Sequence, residues 1–180
     1  MHRLFVGLRP PPAIRNQLIA TMGGIAGARW QDDDQLHLTV RFIGDVDSRM
    51  ADDIAAALGQ LHGDPIAVAL AGVGKFDHHG RTDALWAGVR PHDALAALHR
   101  KVDHAIVRCG LPAEGRAYLP HITLARLPRN LGFGPEIDAF VARHAGLASP
   151  PFALEHLTLF ESTLGSDGAR YDAIERWRLG

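Results

Sequence analysis

One cysteine, Cys109, is present in 180 residues, so neither an internal disulfide nor a thiolate-rich metal site can form. It falls on the apolar side of an expected helix and reads as a buried structural thiol. Lysine is almost absent too: Lys75 and Lys101 are the only two, and arginine supplies the remaining fixed positive charge. Arginine suits bidentate contact with single phosphates, but it is also an ordinary surface residue, and composition does not separate the two. Neither sign of charge dominates. A formal net charge of −1 argues against a long nucleic-acid tract gripped by its backbone phosphates. No apolar run approaches the roughly 20 residues of a membrane-spanning helix. The stretch Leu4-Phe5-Val6 is too short for a signal peptide and lacks a small-residue cleavage site, so a cytoplasmic protein is expected.

What is present is apolar material, 47% of residues, enough for one ordinary domain or for two small lobes sharing a core. Arg3 to Arg9 reads as a buried strand, broken by Pro10-Pro11-Pro12, which sets up a helix with Ile14, Leu18, Met22 and Ile25 on one face. Leu36 to Gly44 is strand-like. Asp47 or Ser48 can cap a second helix carrying Ile54, Leu58 and Leu61, and Pro65 to Phe76 returns to strand. The order then repeats. Ala84 to Arg90 is a strand, and the next helix has a stripe of Leu95, Leu98, Val102 and Ile106. Tyr118 to Arg126 is a strand, Ile137, Phe140 and Val141 mark a helix, and Phe152 to Phe160 is a strand. A hairpin at Gly165-Ser166-Asp167-Gly168 leads to a last strand over Arg170 to Leu179. Each half thus reads strand, helix, strand, helix, strand, which suggests an internal duplication packed as two sheet-and-helix lobes. The fold class is α+β, or α/β should the strands be parallel.

Two His-x-Thr triplets stand in the third element of the two halves: His37-Leu38-Thr39 and His121-Ile122-Thr123. Strand side chains alternate, so each histidine shares a face with its own threonine, while Leu38, Val40, Ile122 and Leu124 point into the core. If the two polar faces meet in one cleft, they suit displacement at phosphorus. A neutral imidazole takes a proton from water, a protonated one gives a proton to the departing oxygen, and hydroxyls hold the phosphate oxygens. No metal is required by such a scheme.

The triplet alone is weak. Eleven histidines and six threonines in this length give roughly 0.4 such triplets by chance, and a third exists, His156-Leu157-Thr158. It lies in the fifth element of its half, the matching strand has no histidine, and Glu161 follows five residues on. His156 is therefore expected to be a half-buried or surface histidine.

At these residues the chain resembles the two-histidine phosphoesterase superfamily. Within that group it is similar to the RNA 2′,3′-cyclic phosphodiesterases, historically called 2′-5′ RNA ligases (LigT- or ThpR-like proteins). The likeness runs almost end to end, through RLFVGL, Trp30, LHLTVRFIG, LWAGV, RAYLPHITLAR and LFES to Gly168-x-x-Tyr171 and Trp177. It implies one bilobal domain over residues 1–180, with a pseudo-twofold duplication, each lobe an antiparallel-type sheet covered by helices, and a cleft between them. It further implies His37 as the acid that protonates the O3′ leaving group and His121 as the base that activates water. Thr39 and Thr123 would hold phosphate oxygens, Arg126 would bind the phosphate, and Phe42 would contact the nucleobase. The implied substrate is an RNA 3′-end or nucleotide bearing a 2′,3′-cyclic phosphate, opened to a 2′-phosphomonoester with no cofactor, metal or membrane. A monomer is expected. One conflict stands out: Phe42 and Arg126 lie five residues after their histidines, an odd offset, so strict alternation turns them away and brings Arg41 to the site instead. A bulge or strand twist could bring them round. Otherwise Phe42 is a core aromatic and Arg126 a surface ion-pair partner.

The remaining candidates read as structural. His78-His79 before Gly80 forms a solvated loop, and His99 and His104 are spaced poorly for one helix face. Arg116 and Arg129 flank the second triplet and are expected to be solvated; Trp30, Trp86 and Trp177 are expected to be packing residues. Rival functions keep the same residues: cleavage or joining of 2′-5′ linkages, a cyclic phosphate on ADP-ribose, or a nucleotide- or RNA-end-binding module without catalysis. A histidine-ligated metal enzyme is disfavoured because no His-Glu-x-x-His or similar spacing occurs.

Overall fold

A computed structural model describes residues 1–180. Proline and alternation set the first elements: β1 (His2–Leu8) stops before the three prolines, and α1 (Pro12–Thr21) starts on the last of them and buries Ile14 and Leu18. Met22 is already extended, so Ile25 reaches the core from outside the helix. A two-residue strand follows, β2 (Arg29–Trp30), which the sequence pattern does not announce. Then come β3 (Leu38–Val46) and α2 (Ser48–Gly59), the latter capped by the Asp47 carboxylate, which accepts from the Met50 N–H at 2.8 Å. Two long strands, β4 (Ile66–His78) and β5 (Arg81–Arg90), form a hairpin whose turn residues His79 and Gly80 both have positive φ. The expected stripe of α3 (Asp93–Arg108) is buried, as are Ile137 and Phe140 of α4 (Pro135–Arg143). The strand between them is β6 (His121–Arg126); Tyr118 to Pro120 approach it without joining the ladder. Cys109 caps the end of α3, half-buried rather than fully inside. No helix is long and apolar enough to cross a membrane.

The single strand expected over Phe152 to Phe160 is two, β7 (Phe152–Leu154) and β8 (His156–Gly165), with β9 (Gly168–Arg178) after a hairpin. Partner choice explains the break at Glu155. β7 pairs with β4 near one end of the sheet, and β8 pairs with β1 and β9 near the other. One residue joins them, so the sheet curves until its ends approach each other.

All pairings are antiparallel, which makes the fold α+β, with nine strands and four helices. The order is β7-β4-β5-β6-β3-β1-β8-β9, with β2 beside β6. Outward from the centre it runs β6, β5, β4 on one side and β3, β1, β8 on the other, so the two triplet-bearing strands are central neighbours. The sequence halves do not each build their own layer. Strand β4 of the first half pairs with β5 of the second, β8 of the second with β1 of the first, and α3 packs on β3. One apolar cluster runs through both sides, from Leu4 and Leu38 to Ile122 and Leu157.

Close backbone approach pins the strand that carries the second triplet. Gly88 pairs with His121, and a Cβ at Gly88 would lie 2.4 Å from the Ala71 carbonyl oxygen. Gly88→Ala is expected to cost about 1–3 kcal/mol in urea unfolding. Gly115→Ala, which meets nothing within 4 Å, should change stability little.

Candidate active site

The two triplets are joined by one cross-strand pair. Leu38 of β3 stands opposite Ile122 of β6, and both are buried. Their neighbours on either side turn to the other face. Antiparallel register then sets His37 across from Thr123 and Thr39 across from His121, and all four are half-buried. His37 itself precedes the first ladder residue of β3.

Both imidazoles are oriented in the same way. His37 Nδ1–H donates to the Gln35 carbonyl at 2.7 Å, and His121 Nδ1–H donates to the Leu119 carbonyl at 2.7 Å. A carbonyl can only accept, so in the neutral rings the lone pair resides on Nε2. The Thr39 hydroxyl lies 3.0 Å from His37 Nε2. Aromatic rings wall each histidine: Phe5, Tyr171 and Phe160 around His37 at 4.7, 5.1 and 6.0 Å, Phe76 and Trp86 around His121 at 4.9 and 6.0 Å. Desolvation by this shell lowers the His37 pKa to about 4 against the hydrogen bond to Gln35, with the Arg126, His121 and Arg9 charges adding to the fall. Burial likewise lowers His121, and the Arg126 charge acts in the same direction. His37 is therefore neutral at pH 7, and His121 is shifted in the same direction. Protonating them is easier in the unfolded chain, so their contribution to stability is present above pH 6.5 and is lost as pH falls toward 4.

The odd offset is resolved by two bulges at matching places. In the β1–β3 ladder Gly7 faces Thr39 and Val6 faces Arg41, which leaves Val40 extra. In the β5–β6 ladder Trp86 faces Thr123 and Leu85 faces Ala125, which leaves Leu124 extra. Each extra residue lies three positions after its histidine and shifts the alternation by one. Val40 and Arg41 are both buried, as are Leu124 and Ala125, and the next residues, Phe42 and Arg126, emerge on the histidine side. Arg41 therefore does not face the site. Its Nε donates to Asp103 at 2.7 Å, its other nitrogens donate to the Pro112 and Phe42 carbonyls, and its side chain is only 7% exposed. Burial pushes the Asp103 carboxyl up, but Arg41 and the Glu114 N–H outweigh it and hold it below the usual carboxylate range.

A bulge leaves carbonyls without ladder partners, and here side chains supply them. Tyr118 O–H donates to the Thr39 carbonyl at 2.9 Å, and His99 Nδ1–H donates to the Val40 carbonyl at 2.7 Å. The Tyr118 and His99 rings stack 4.3 Å apart, and burial raises the phenol pKa, so it remains a donor. At the second bulge the Gln31 N–H donates to the Leu124 carbonyl at 2.8 Å. His99, dismissed on helical spacing, thus belongs to the scaffold of the site. Only its neighbours across the fold reveal this.

Thr39, Phe42 and Arg126 line one cavity of about 590 Å³ together with Gln35, Tyr171 and Arg29. Phe42 is 38% exposed, with the Arg3 guanidinium 5.2 Å from its ring centre. His156 and Thr158 line a different, adjoining cavity of about 940 Å³. His156 is half-buried, Thr158 is buried, and Glu161 meets His2 at 2.8 Å. Arg116 pairs with Glu114 at the surface, Arg129 is exposed, and His78 and His79 sit at a hairpin tip with rings 4.1 Å apart. Trp30 packs on Phe140 and Trp177 on the core, whereas Trp86 stands beside His121. No three His, Cys, Asp or Glu side chains converge as a metal would need.

A family model described as the 2′-5′ RNA ligase superfamily matches residues 10–165. The RNA 2′,3′-cyclic phosphodiesterase of Escherichia coli K12 is 27% identical over 186 aligned residues, covering 98% of this chain and 96% of its own. That of Methanocaldococcus jannaschii is 24% identical over 177 residues, covering 97% and 99%. Among solved structures, Escherichia coli LigT complexed with 3′-AMP superposes with a TM-score of 0.75 at 25% identity, covering 99% of this chain and 98% of that one. A second, described as a phosphoesterase, gives 0.77 at 26% identity, with the same coverage.

Removing either side chain deletes a hydrogen bond to a bulge carbonyl. Tyr118→Phe and His99→Ala are each expected to lower stability by about 1–3 kcal/mol in urea unfolding.

Proposed function

Because the chain belongs to the 2′-5′ RNA ligase superfamily, we propose that it hydrolyses a 2′,3′-cyclic phosphate at an RNA end or on a nucleotide. The observation that carries this reading is the pair of imidazoles with identical orientation, each beside its own threonine and both within the field of one arginine. His121 takes a proton from water through Nε2 as the oxygen bonds to phosphorus. The bond from phosphorus to O3′ breaks, and His37 gives its proton to that oxygen, which leaves a 2′-phosphomonoester. Thr39 and Thr123 donate to the non-bridging oxygens, and Arg126 offsets the charge gathering there. Phe42 offers its exposed face to the base. No step needs a metal.

His37 with a pKa near 4 is by itself a poor proton carrier. A bound phosphodiester anion favours the protonated ring, so His37 acquires its proton with the substrate. Free enzyme carrying one proton on the pair is most abundant between the two depressed values, above about pH 4 and below the ordinary imidazole range.

The bell of kcat/KM against pH is therefore expected to peak below 6.5 and to fall toward neutrality, while the kcat profile lies further alkaline. A kcat/KM that rises through pH 8 would refute the paired acid and base. His37→Ala and His121→Ala are each expected to lower kcat/KM by at least about 100-fold in chelator-treated buffer on adenosine 2′,3′-cyclic phosphate. His156→Ala should turn over like wild type. Identification of the product as the 3′-phosphate would reverse the leaving-group assignment.

A further inference from the structure

Arg29 and Arg126 stand directly opposite each other where β2 pairs with β6. Residues in register across antiparallel strands share a face, so Arg29 lies on the side to which the Leu124 bulge turns Arg126. Both are exposed, and neither belongs to any ion pair of the molecule. Other arginines nearby are neutralised: Arg9 and Arg15 by Asp33, Arg41 by Asp103, Arg81 by Asp83. Like charges facing each other across a ladder are unfavourable unless an anion lies between or beside them.

Both guanidiniums line the cavity that holds Thr39 and Phe42, whose only acidic wall residue is Asp167. Arg126 is felt by both His37 and His121, whereas Arg29 is not among the charges acting on either. β2 and β3 lie along β6 at different stations, with Arg29 at the Arg126 end and Leu38 at the Ile122 end. One phosphate between the histidines accounts for Arg126 and leaves Arg29 without a partner.

We propose that Arg29 binds the phosphodiester joining the terminal nucleotide to the rest of the RNA, so that the site takes RNA ends in preference to free nucleotides. This rests on the reaction assigned above, in which the terminal cyclic phosphate lies between the histidines. Arginine suits the role because its planar fork meets a phosphodiester through two parallel hydrogen bonds. A free nucleoside 2′,3′-cyclic phosphate has no such group.

The test compares adenosine 2′,3′-cyclic phosphate with a short oligoribonucleotide ending in the same cyclic phosphate, on wild type, Arg29→Gln and Arg29→Lys. Wild type should favour the oligonucleotide in kcat/KM. Arg29→Gln should lower the oligonucleotide-to-nucleotide ratio about tenfold, mainly through KM, with Arg29→Lys recovering part of it. The slope of log KM against log salt for the oligonucleotide should shrink by about 0.7, the value for one single-strand contact. A ratio unchanged in Arg29→Gln, or an equal loss on both substrates, overturns the assignment. Wild type that hydrolysed neither substrate would refute the reaction instead. The ratio of dissociation constants for a 3′-phosphorylated oligoribonucleotide and adenosine 3′-phosphate would then decide on Arg29, with the same tenfold loss expected.

Discussion

A strand turns successive side chains to opposite faces, and the proposed use of residues at offsets of two and five from one histidine violates that rule. The extra residues Val40 and Leu124 cancel the violation. Without them Thr39 and Phe42 would lie on opposite sides of β3, and Thr123 and Arg126 on opposite sides of β6. The rest of the local structure serves these two irregularities. Tyr118 and His99 reach from outside β3 to occupy its stray carbonyls, and the Arg41–Asp103 pair fixes the turned backbone from below. At the other bulge a backbone N–H after β2 does the same work, which gives that short strand its place beside β6.

Electrostatics follow from this geometry. The bulge that turns Arg126 to the histidine side places a fixed positive charge where both imidazoles feel it. That charge and the aromatic shell discourage a resting proton, and the charge favours an anion for the same reason. In the proposed reaction the bound anion restores the proton. Ligand and pH together set the protonation in that reaction, and the carbonyls of Gln35 and Leu119 leave Nε2 as the nitrogen affected.

Periodicity made much of the fold readable in advance. The stripe Leu95, Leu98, Val102, Ile106 is helical by spacing alone, and Leu38, Val40, Ile122 and Leu124 are buried as alternation requires. The two triplets could be picked out for the same reason. Their adjacency could not, because which strands become neighbours depends on pairings distant in the chain. The bulges were illegible for a related cause: an extra residue exists only relative to a partner strand, so Arg41 is drawn to the wrong face by any reading of β3 alone. β2 is too short to carry a pattern. The division at Glu155 reflects a change of partner rather than a breaker residue.

The exchange of strands between the sequence halves reaches beyond packing. A chain severed at the His79–Gly80 turn would leave β2 and β4 in one fragment and β7 in the other, each separated from every strand it pairs with. Each piece would keep one of the two central triplets with its bulge and roughly half of the apolar cluster, and neither could close its own layer. The two would have to fold as obligate complements. The proposed chemistry is therefore the property of an entwined whole, and it cannot be carried by one half acting alone or by two halves that merely dock.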